Sequence, residues 1–340
     1  MKKAFSSPIF CVIAALFGVN LAQSAPQQLL GGYAGFVERM GAGAREIGMG
    51  QTGIADEFSS FVAYRNPALS SAYRKYSVDL FGEQLELDRQ GAALGFQAPV
   101  GSKMGLAGAW LYRGDSKVRN IDDNDVEADA LSPYWSAGFL SGSWRLSFKH
   151  SLGLSYHWQS IHYGFDNLQD YNSPGAFSLG WLARWSEHWQ SAVVFRHLGL
   201  NSELSSRYNP AFGSGVGLDG GNEFFPKVFH FGVTWKDSLL GKPIQVNAEI
   251  QDYQLADSLF TFDGDRHAVS PKIGVESELI PQGFVRLGYD DGDYALGVGY
   301  EFGWQYSVRK RIELRWDWAM RFERNVNFFN PVTTGFKLSF

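Results

Sequence analysis

The chain has 340 residues and a formal net charge of −5, so it lacks the basic excess that is typical of nucleic-acid-binding proteins. Aromatic residues make up 16% of the chain and glycine occurs 39 times, a composition that favours strands and tight turns over helices. The single cysteine, Cys11, lies in the export signal described next, which excludes disulfides and cysteine-based metal sites from the mature chain.

The first 24 residues have the pattern of a secretory signal peptide. Two lysines are followed by an apolar run at 9–21, and the small residues Ala22 and Ser24 fit a cleavage site after Ser24. A transmembrane anchor is the alternative, but it needs roughly 20 apolar residues. We therefore expect residues 1–24 to be removed on export.

Residues 25–74 are rich in Gly, Ala, Met and Ser and show helical or irregular character. We expect this segment to plug the lumen of the barrel predicted below. Arg45 is expected to pair there with Asp56, Glu57 or strand carboxylates, either to hold the plug in place or to contact a ligand. A helix is expected to start at Pro67.

From residue 75 to the C-terminus, apolar residues alternate with small or polar ones, which is the period of a strand. No apolar run of 18 residues follows residue 25, so a membrane-embedded mature chain would have to be a barrel. The pattern predicts an all-β fold, a transmembrane antiparallel β-barrel of about fourteen strands over 75–340. The predicted strands are 75–86, 90–98, 103–112, 132–142, 146–163, 175–185, 189–198, 227–236, 243–253, 268–278, 282–290, 293–302, 306–322 and 331–340.

Two features favour a membrane barrel over a soluble sandwich. One face of each strand carries Phe, Trp, Leu and Val, while the other carries Gly, Ser and charges, which suits a polar lumen inside a lipid-facing band. The connections between predicted strands also alternate between short and long for most of the chain. A tight turn at 290–293 is the exception on the long side. A soluble secreted lectin or propeller is the remaining alternative.

The inward face of several later strands carries charges of both signs. We expect these residues to form a ladder of salt bridges across a narrow or plugged lumen, which argues against a wide apolar duct. The predicted luminal charges are Glu249, Lys272, Glu276, Arg286, Glu313, Arg315, Asp317 and Arg321.

The last residue is aromatic and ends an alternating strand. Val332, Phe336, Leu338 and Phe340 share one face of that strand. Phe340 is therefore interpreted as a signal for the machinery that assembles outer-membrane barrels.

The residues show no catalytic motif. The seven histidines lack the His-Glu-x-x-His spacing, and no Gly-x-Ser-x-Gly elbow accompanies the candidate hydrolase pair Ser155 and His157. The acidic residues within 122–129 could bind Ca²⁺ or form a solvated loop. We expect no enzymatic activity, no cofactor and no bound metal.

One segment of about thirty residues, beginning at residue 41, carries a family resemblance. It contains Gly-Ala-Arg, then Gly-Met-Gly, then Ala-Asp, and finally Asn-Pro-Ala. The matching positions are Gly43, Ala44, Arg45, Gly48, Met49, Gly50, Ala55, Asp56, Asn66, Pro67 and Ala68. This segment resembles the N-terminal signature of FadL-like outer-membrane barrels, specifically the PorV/PorQ-type group.

The resemblance implies two possible functions. A PorV-type member would take part in type IX-like protein secretion or surface attachment, with exported proteins or secretion-system subunits as partners. The alternative is a FadL-like transporter of long-chain fatty acids or other hydrophobic compounds. Both imply the bacterial outer membrane, with its lipid, lipopolysaccharide and barrel assembly machinery as partners, and neither involves nucleic acid.

Overall fold

A computed structural model provides the structure of the chain. It describes residues 36–85, 89–115, 118–121, 127–162, 171–172, 175–198, 203–204, 223–224, 226–239, 241–255, 266–307, 310–323 and 331–340. The predicted signal peptide and most of the acidic loop at 122–129 lie outside these ranges.

Within the described residues, fourteen long strands form one antiparallel sheet. The strands are β1 (Ser77–Gln84), β2 (Arg89–Val100), β3 (Met104–Asp115), β4 (Tyr134–Arg145), β5 (His150–His162), β6 (Ala176–Arg184), β7 (Trp189–Leu198), β8 (Lys227–Leu239), β9 (Lys242–Leu255), β10 (Arg266–Ile280), β11 (Gly283–Asp290), β12 (Asp293–Ser307), β13 (Lys310–Phe322) and β14 (Val332–Ser339). Each of the fourteen predicted strands corresponds to one of these, so the predicted architecture is confirmed.

The sheet closes on itself between its first and last strands. β1 pairs with β14 in an unbroken antiparallel register from Ser77 opposite Ser339 to Gln84 opposite Val332. The seam extends one pair further, because Tyr76 N donates to Phe340 O at 3.1 Å and Phe340 N donates to Tyr76 O at 3.0 Å. All neighbouring strands along the chain pair in order, which makes the structure an up-and-down barrel.

Turns of two to four residues join the strands at one end of the barrel, called here the short-turn end. At the other end, most connections are longer. Two connections at that end are short: the four residues between β1 and β2, and the predicted tight turn between β11 and β12. In the tight turn, Asp291 and Gly292 have φ values of 48° and 100°. Positive φ at both central residues is the geometry of a type I′ hairpin.

The outer surface of the barrel is apolar and its interior is small or polar, the reverse of a soluble sheet protein. In β2, Leu94 and Phe96 are 46% and 49% exposed, whereas the alternate residues Ala93 and Gln97 are buried. The same inversion recurs around the wall. This arrangement suits a hydrocarbon environment outside and a filled lumen inside.

The luminal segment, residues 36–74, packs inside the barrel. It contains four short helices: α1 (Phe36–Arg39), α2 (Ala44–Gly48), α3 (Val62–Arg65) and α4 (Leu69–Ala72). Buried side chains of this segment and inward-facing apolar residues of the wall, from alanines to Leu111 and Phe139, form the main apolar core. No helix in the described part of the chain is long and apolar enough to cross a bilayer.

Candidate functional site

All eleven residues of the Gly-Ala-Arg to Asn-Pro-Ala motif are buried in the luminal segment. The first six residues lie at or within α2 and its ends, Ala55 and Asp56 lie in the loop before α3, and the last three link α3 to α4. The helix expected to start at Pro67 starts at Leu69 instead. Asn66 is extended, with φ −151°, and its Oδ1 accepts a hydrogen bond from Ala68 N at 3.0 Å, which forms a turn ahead of the helix.

The wall meets the luminal segment at inward-facing glycines. A Cβ on Gly288 of β11 would collide with the backbone N of Gly50, and a Cβ on Gly274 of β10 would collide with the carbonyl O of Met49. Gly50 itself has φ 64°, in the left-handed region. Two further wall glycines, Gly105 and Gly153, approach the backbone of the segment as closely, and Gly180 lies against the side chains of Asn66 and Pro67. Backbone therefore lies directly against backbone at several points around the lumen.

Arg45 connects the luminal segment to the wall through two carboxylates. Its Nη1 lies 2.5 Å from Asp56 Oδ2, while its Nη2 and Nε lie 2.7 and 3.0 Å from the two oxygens of Glu276 on β10. Asp56 also accepts from Lys236 Nζ at 3.1 Å and from Gln245 Nε2 at 2.8 Å. Burial alone would raise the pKa of the Asp56 carboxyl, but Arg45 and Lys236 outweigh it and hold that pKa below its usual range.

Glu276 is shared among three arginines. Besides Arg45, Arg286 Nε lies 2.6 Å and Arg315 Nη2 lies 3.0 Å from Glu276 Oε2. Asp317 completes the group, with its Oδ1 2.8 Å from Arg286 Nη2 and 3.0 Å from Arg315 Nε. Four of the eight predicted luminal charges thus meet in one network with Arg45.

The other four predicted luminal charges lie elsewhere. Glu249 binds the backbone of the luminal segment, since its Oε1 accepts from Gly53 N at 2.6 Å and from Ile54 N at 2.9 Å. Its second oxygen lies 2.9 Å from His230 Nε2. Of the remaining three, Lys272 pairs with Asp290 at 3.2 Å, Arg321 pairs with Glu323 at 2.6 Å, and Glu313 pairs with Lys75.

A cavity of about 270 Å³ lies next to this network, near the short turns. Phe58 of the luminal segment and Phe284 of β11 form apolar parts of its wall, together with Ile244. Lys236 Nζ lies 4.3 Å from the centroid of the Phe58 ring, and Arg315 lies 5.3 Å from that of Phe284. Aromatic faces with adjacent cations therefore line a space between the luminal segment and the wall.

Sequence reasoning missed both Phe58 and Lys236. Lys236 continues the inward row of His230, Gly232 and Thr234 on β8, so the strand period could have identified it. Phe58 lies in an irregular part of the luminal segment where no period applies, and the sequence carries no comparable signal for it.

The hydrolase pair considered from the sequence is not assembled. Ser155 Oγ donates to the carbonyl of Ala63 at 3.0 Å, which uses the hydroxyl to hold the luminal segment. His157 lies beside Glu38 of α1 instead, with 3.7 Å between its Nε2 and Oε1 of the glutamate.

No protein-family model matches the chain, and no curated protein matches its sequence. The chain is similar in structure to a mutant of the monoaromatic hydrocarbon channel TodX, with 12% identity, a TM-score of 0.56, and coverage of 87% of this chain and 97% of the other.

Two further solved structures show the same likeness. The toluene transporter TbuX of Ralstonia pickettii aligns with 12% identity and a TM-score of 0.54, over 87% of this chain and 97% of that one. A FadL homologue of Pseudomonas aeruginosa aligns with 10% identity and a TM-score of 0.50, over 87% and 96%. At these identities the likeness concerns the fold alone: the chain is a closed fourteen-stranded antiparallel barrel, similar in fold to these proteins.

Proposed function

We propose that the chain is a non-enzymatic outer-membrane channel for small hydrophobic compounds. The observation that carries this proposal is the cavity between Phe58, Ile244 and Phe284, at the contact of luminal segment and wall. A cavity of about 150 Å³ lined by apolar side chains is enough to hold benzene. The space here, about 270 Å³, is large enough for a molecule of that class. Its apolar side is formed by Phe58, Ile244, Phe284 and Pro243, and the rest of its wall is charged or polar.

The comparisons support the same proposal. TodX and TbuX are described as a monoaromatic hydrocarbon channel and a toluene transporter, and both share the barrel fold. The apolar outer surface supports a location in the bacterial outer membrane, where lipid and lipopolysaccharide would surround the barrel and the assembly machinery would insert it. Fractionation of cells that express the full chain tests the location.

Uptake and binding of toluene test the function. Phospholipid bilayers pass toluene without a channel, so the test uses liposomes with an outer leaflet of lipopolysaccharide. We expect such liposomes to take up toluene faster when they contain the purified barrel, and we expect toluene to raise the thermal stability of the barrel. Substituting Phe58→Ala or Phe284→Ala should weaken binding by about tenfold or more, because the apolar contact of one ring contributes roughly 1.5–3 kcal/mol.

Leu287→Ala is the matched control, because Leu287 is on the same strand as Phe284 but is 59% exposed on the outer surface. It should bind and transport toluene as the unaltered chain does. Equal toluene uptake by loaded and empty liposomes would contradict the channel proposal.

A role in type IX-like secretion or surface attachment stays a second prediction, favoured by the motif from Gly43 to Ala68. In that role the barrel would bind exported proteins or secretion subunits. Mass spectrometry of the barrel purified from native outer membranes in mild detergent tests it. A stoichiometric exported protein supports secretion, whereas bound hydrophobic compound without a protein partner supports the channel.

A further inference from the structure

Three side chains from distant parts of the chain meet in the lumen on the side away from the Arg45 network. Glu38 of α1, His157 of β5 and His197 of β7 are all buried, with at most 5% of each residue exposed. Glu38 Oε2 lies 3.2 Å from His197 Nε2, and Oε1 lies 3.7 Å from His157 Nε2. We propose that these three residues bind a divalent transition metal ion of the Zn²⁺ class, which attaches the luminal segment to the wall.

The spacing of the donor atoms fits such an ion. One ligand atom from each residue can be chosen so that all lie within 4.8 Å of one another. Zinc bonds of about 2.0–2.2 Å in a tetrahedral site place neighbouring ligand atoms roughly 3.3–3.6 Å apart. The two separations from Glu38, 3.2 Å to Oε2 and 3.7 Å to Oε1, are close to that range. With one oxygen of Glu38 as ligand the three donor atoms lie within 4.8 Å of one another, so the widest pair would have to approach by up to about 1.2 Å on binding. Two histidines and one glutamate are also a known zinc ligand set.

The surroundings orient two of the three ligands. His197 Nδ1 lies 2.6 Å from the carbonyl O of Pro226 and donates to it, so Nδ1 keeps its proton when a metal binds. Nε2 donates to Glu38 Oε2 at 3.2 Å without metal, and it would release that proton to the solvent to become a ligand. The amide of Gln159 donates to Glu38 Oε1. Such outer partners of a histidine and a carboxylate are typical of metal sites.

The backbone of β7 departs from regular geometry at the same place. His197 has φ 60°, and the register of β7 against β6 shifts between Phe195 and Leu198. This irregularity turns both Arg196 and His197 into the lumen, whereas a regular strand would place only one of them there. Bulges of this kind commonly re-aim a side chain at a functional site.

A fourth ligand position is available. A cavity of about 10 Å³ adjoins Glu38 and His197, with Gln251 and Tyr253 also in its wall. That volume is close to the minimum needed for one water molecule, and its wall contains polar groups beside the apolar Pro226 and Val228. Three protein ligands with one water would make an open zinc site.

Two cations face the cluster and oppose a metal ion. Arg196 donates to the carbonyl of Arg65 at 3.1 Å and lies 4.9 Å from the centroid of the Tyr64 ring, and Arg39 lines the small cavity. Their charge lowers metal affinity by Coulomb repulsion, whereas it would stabilise a metal-free Glu38 carboxylate. Removing the charge of Arg196 therefore distinguishes a metal site from a purely hydrogen-bonded cluster.

The experiment measures Zn²⁺ binding to the full barrel, purified in mild detergent without a polyhistidine tag or chelator. We expect one tight equivalent of Zn²⁺ by titration calorimetry and elemental analysis. H157Q and H197Q should each weaken Zn²⁺ binding more than the loss of an outer partner of a ligand does, which is roughly 10–100-fold. H230Q is the control, since His230 is also buried beside a glutamate but, among the described residues, does not belong to a group of three possible metal ligands. R196Q should bind Zn²⁺ more tightly than the unaltered chain.

Folding of each variant is checked by its heat-dependent mobility in SDS gels. The site does not exist if the folded H157Q and H197Q variants bind as much Zn²⁺ as the unaltered barrel. It also does not exist if neither the unaltered barrel nor its variants bind Zn²⁺ tightly. Because toluene uptake is measured separately, failure of the metal site leaves the channel proposal standing.

Discussion

Gly288 of β11 and Gly50 of the luminal segment lie in direct backbone contact, with no room for a Cβ atom between them. The contact joins β11, close to its tight turn into β12, to the turn after α2. Close approach of this kind holds a segment in one position, because neither partner has side-chain freedom with which to adjust.

Substituting Gly288→Ala should destabilise the folded barrel by about 1–3 kcal/mol, the usual cost of forcing extra atoms into a packed interior. The added carbon would meet backbone atoms that cannot rotate away. The measurement is the midpoint of urea unfolding in detergent. Gly82→Ala is the control, since a Cβ at Gly82 of β1 meets nothing within 4 Å. Similar shifts for both variants would mean that the contact is looser than described.

Removing the charge of Arg45 should be more damaging. Arg45→Met leaves Asp56 and one side of Glu276 without their main partner, and breaking a buried ion pair in this way costs roughly 3–5 kcal/mol. Arg311→Gln is the control, because that side chain is half exposed and its ion pairs contribute at most about 1 kcal/mol. Limited proteolysis of the luminal segment, compared between the two variants, checks the prediction.

The stability of the luminal segment should depend on pH through Asp56. Its folded-state pKa lies below the unfolded value of about 3.9, so the stabilisation is complete above that value and is lost as the pH falls below it. Asp56→Asn should be less stable at neutral pH and show a flatter response to acid. Unfolding measured between pH 7 and pH 3 checks this. Parallel curves for the two proteins would assign the acid sensitivity to other groups.

Deleting Phe340 should lower the fraction of barrel that assembles in cells. The ring stacks on Tyr76 at 5.7 Å, and its backbone forms the last pair of the seam. The measurement compares assembly in cells with refolding of the purified chain in detergent. A loss in cells alone supports the predicted assembly signal, whereas an equal loss in both assigns the effect to the seam.

The strands could be predicted from the sequence because a period of two is a local property. Whether a side chain faces the lumen or the lipid can be inferred from the residues next to it. The pairing of Arg45 with Asp56 or a strand carboxylate could also be anticipated, since a buried guanidinium requires anionic partners. The identity of Glu276 as that carboxylate could not, because it depends on the position of the segment within the lumen.

The cluster of Glu38, His157 and His197 lies beyond local patterns for the same reason. Its members come from one helix and two strands, and one of them reaches the lumen only through an irregularity in β7. The period of that strand places either Arg196 or His197 inside, not both. Tertiary geometry, not spacing along the chain, brings the three together.

The seam between β1 and β14 has a consequence for the order of folding. It joins the first strand of the barrel to the last, so the ring cannot close until β14 has been synthesised. The luminal segment immediately precedes β1 and touches the wall around much of its circumference. It must therefore be in place before closure or thread into a finished ring, and contacts of such large sequence separation predict slow folding. If the luminal segment docks late, the pairing of β1 with β14 would also form late. The rate of that pairing would then measure the rate at which the luminal segment docks.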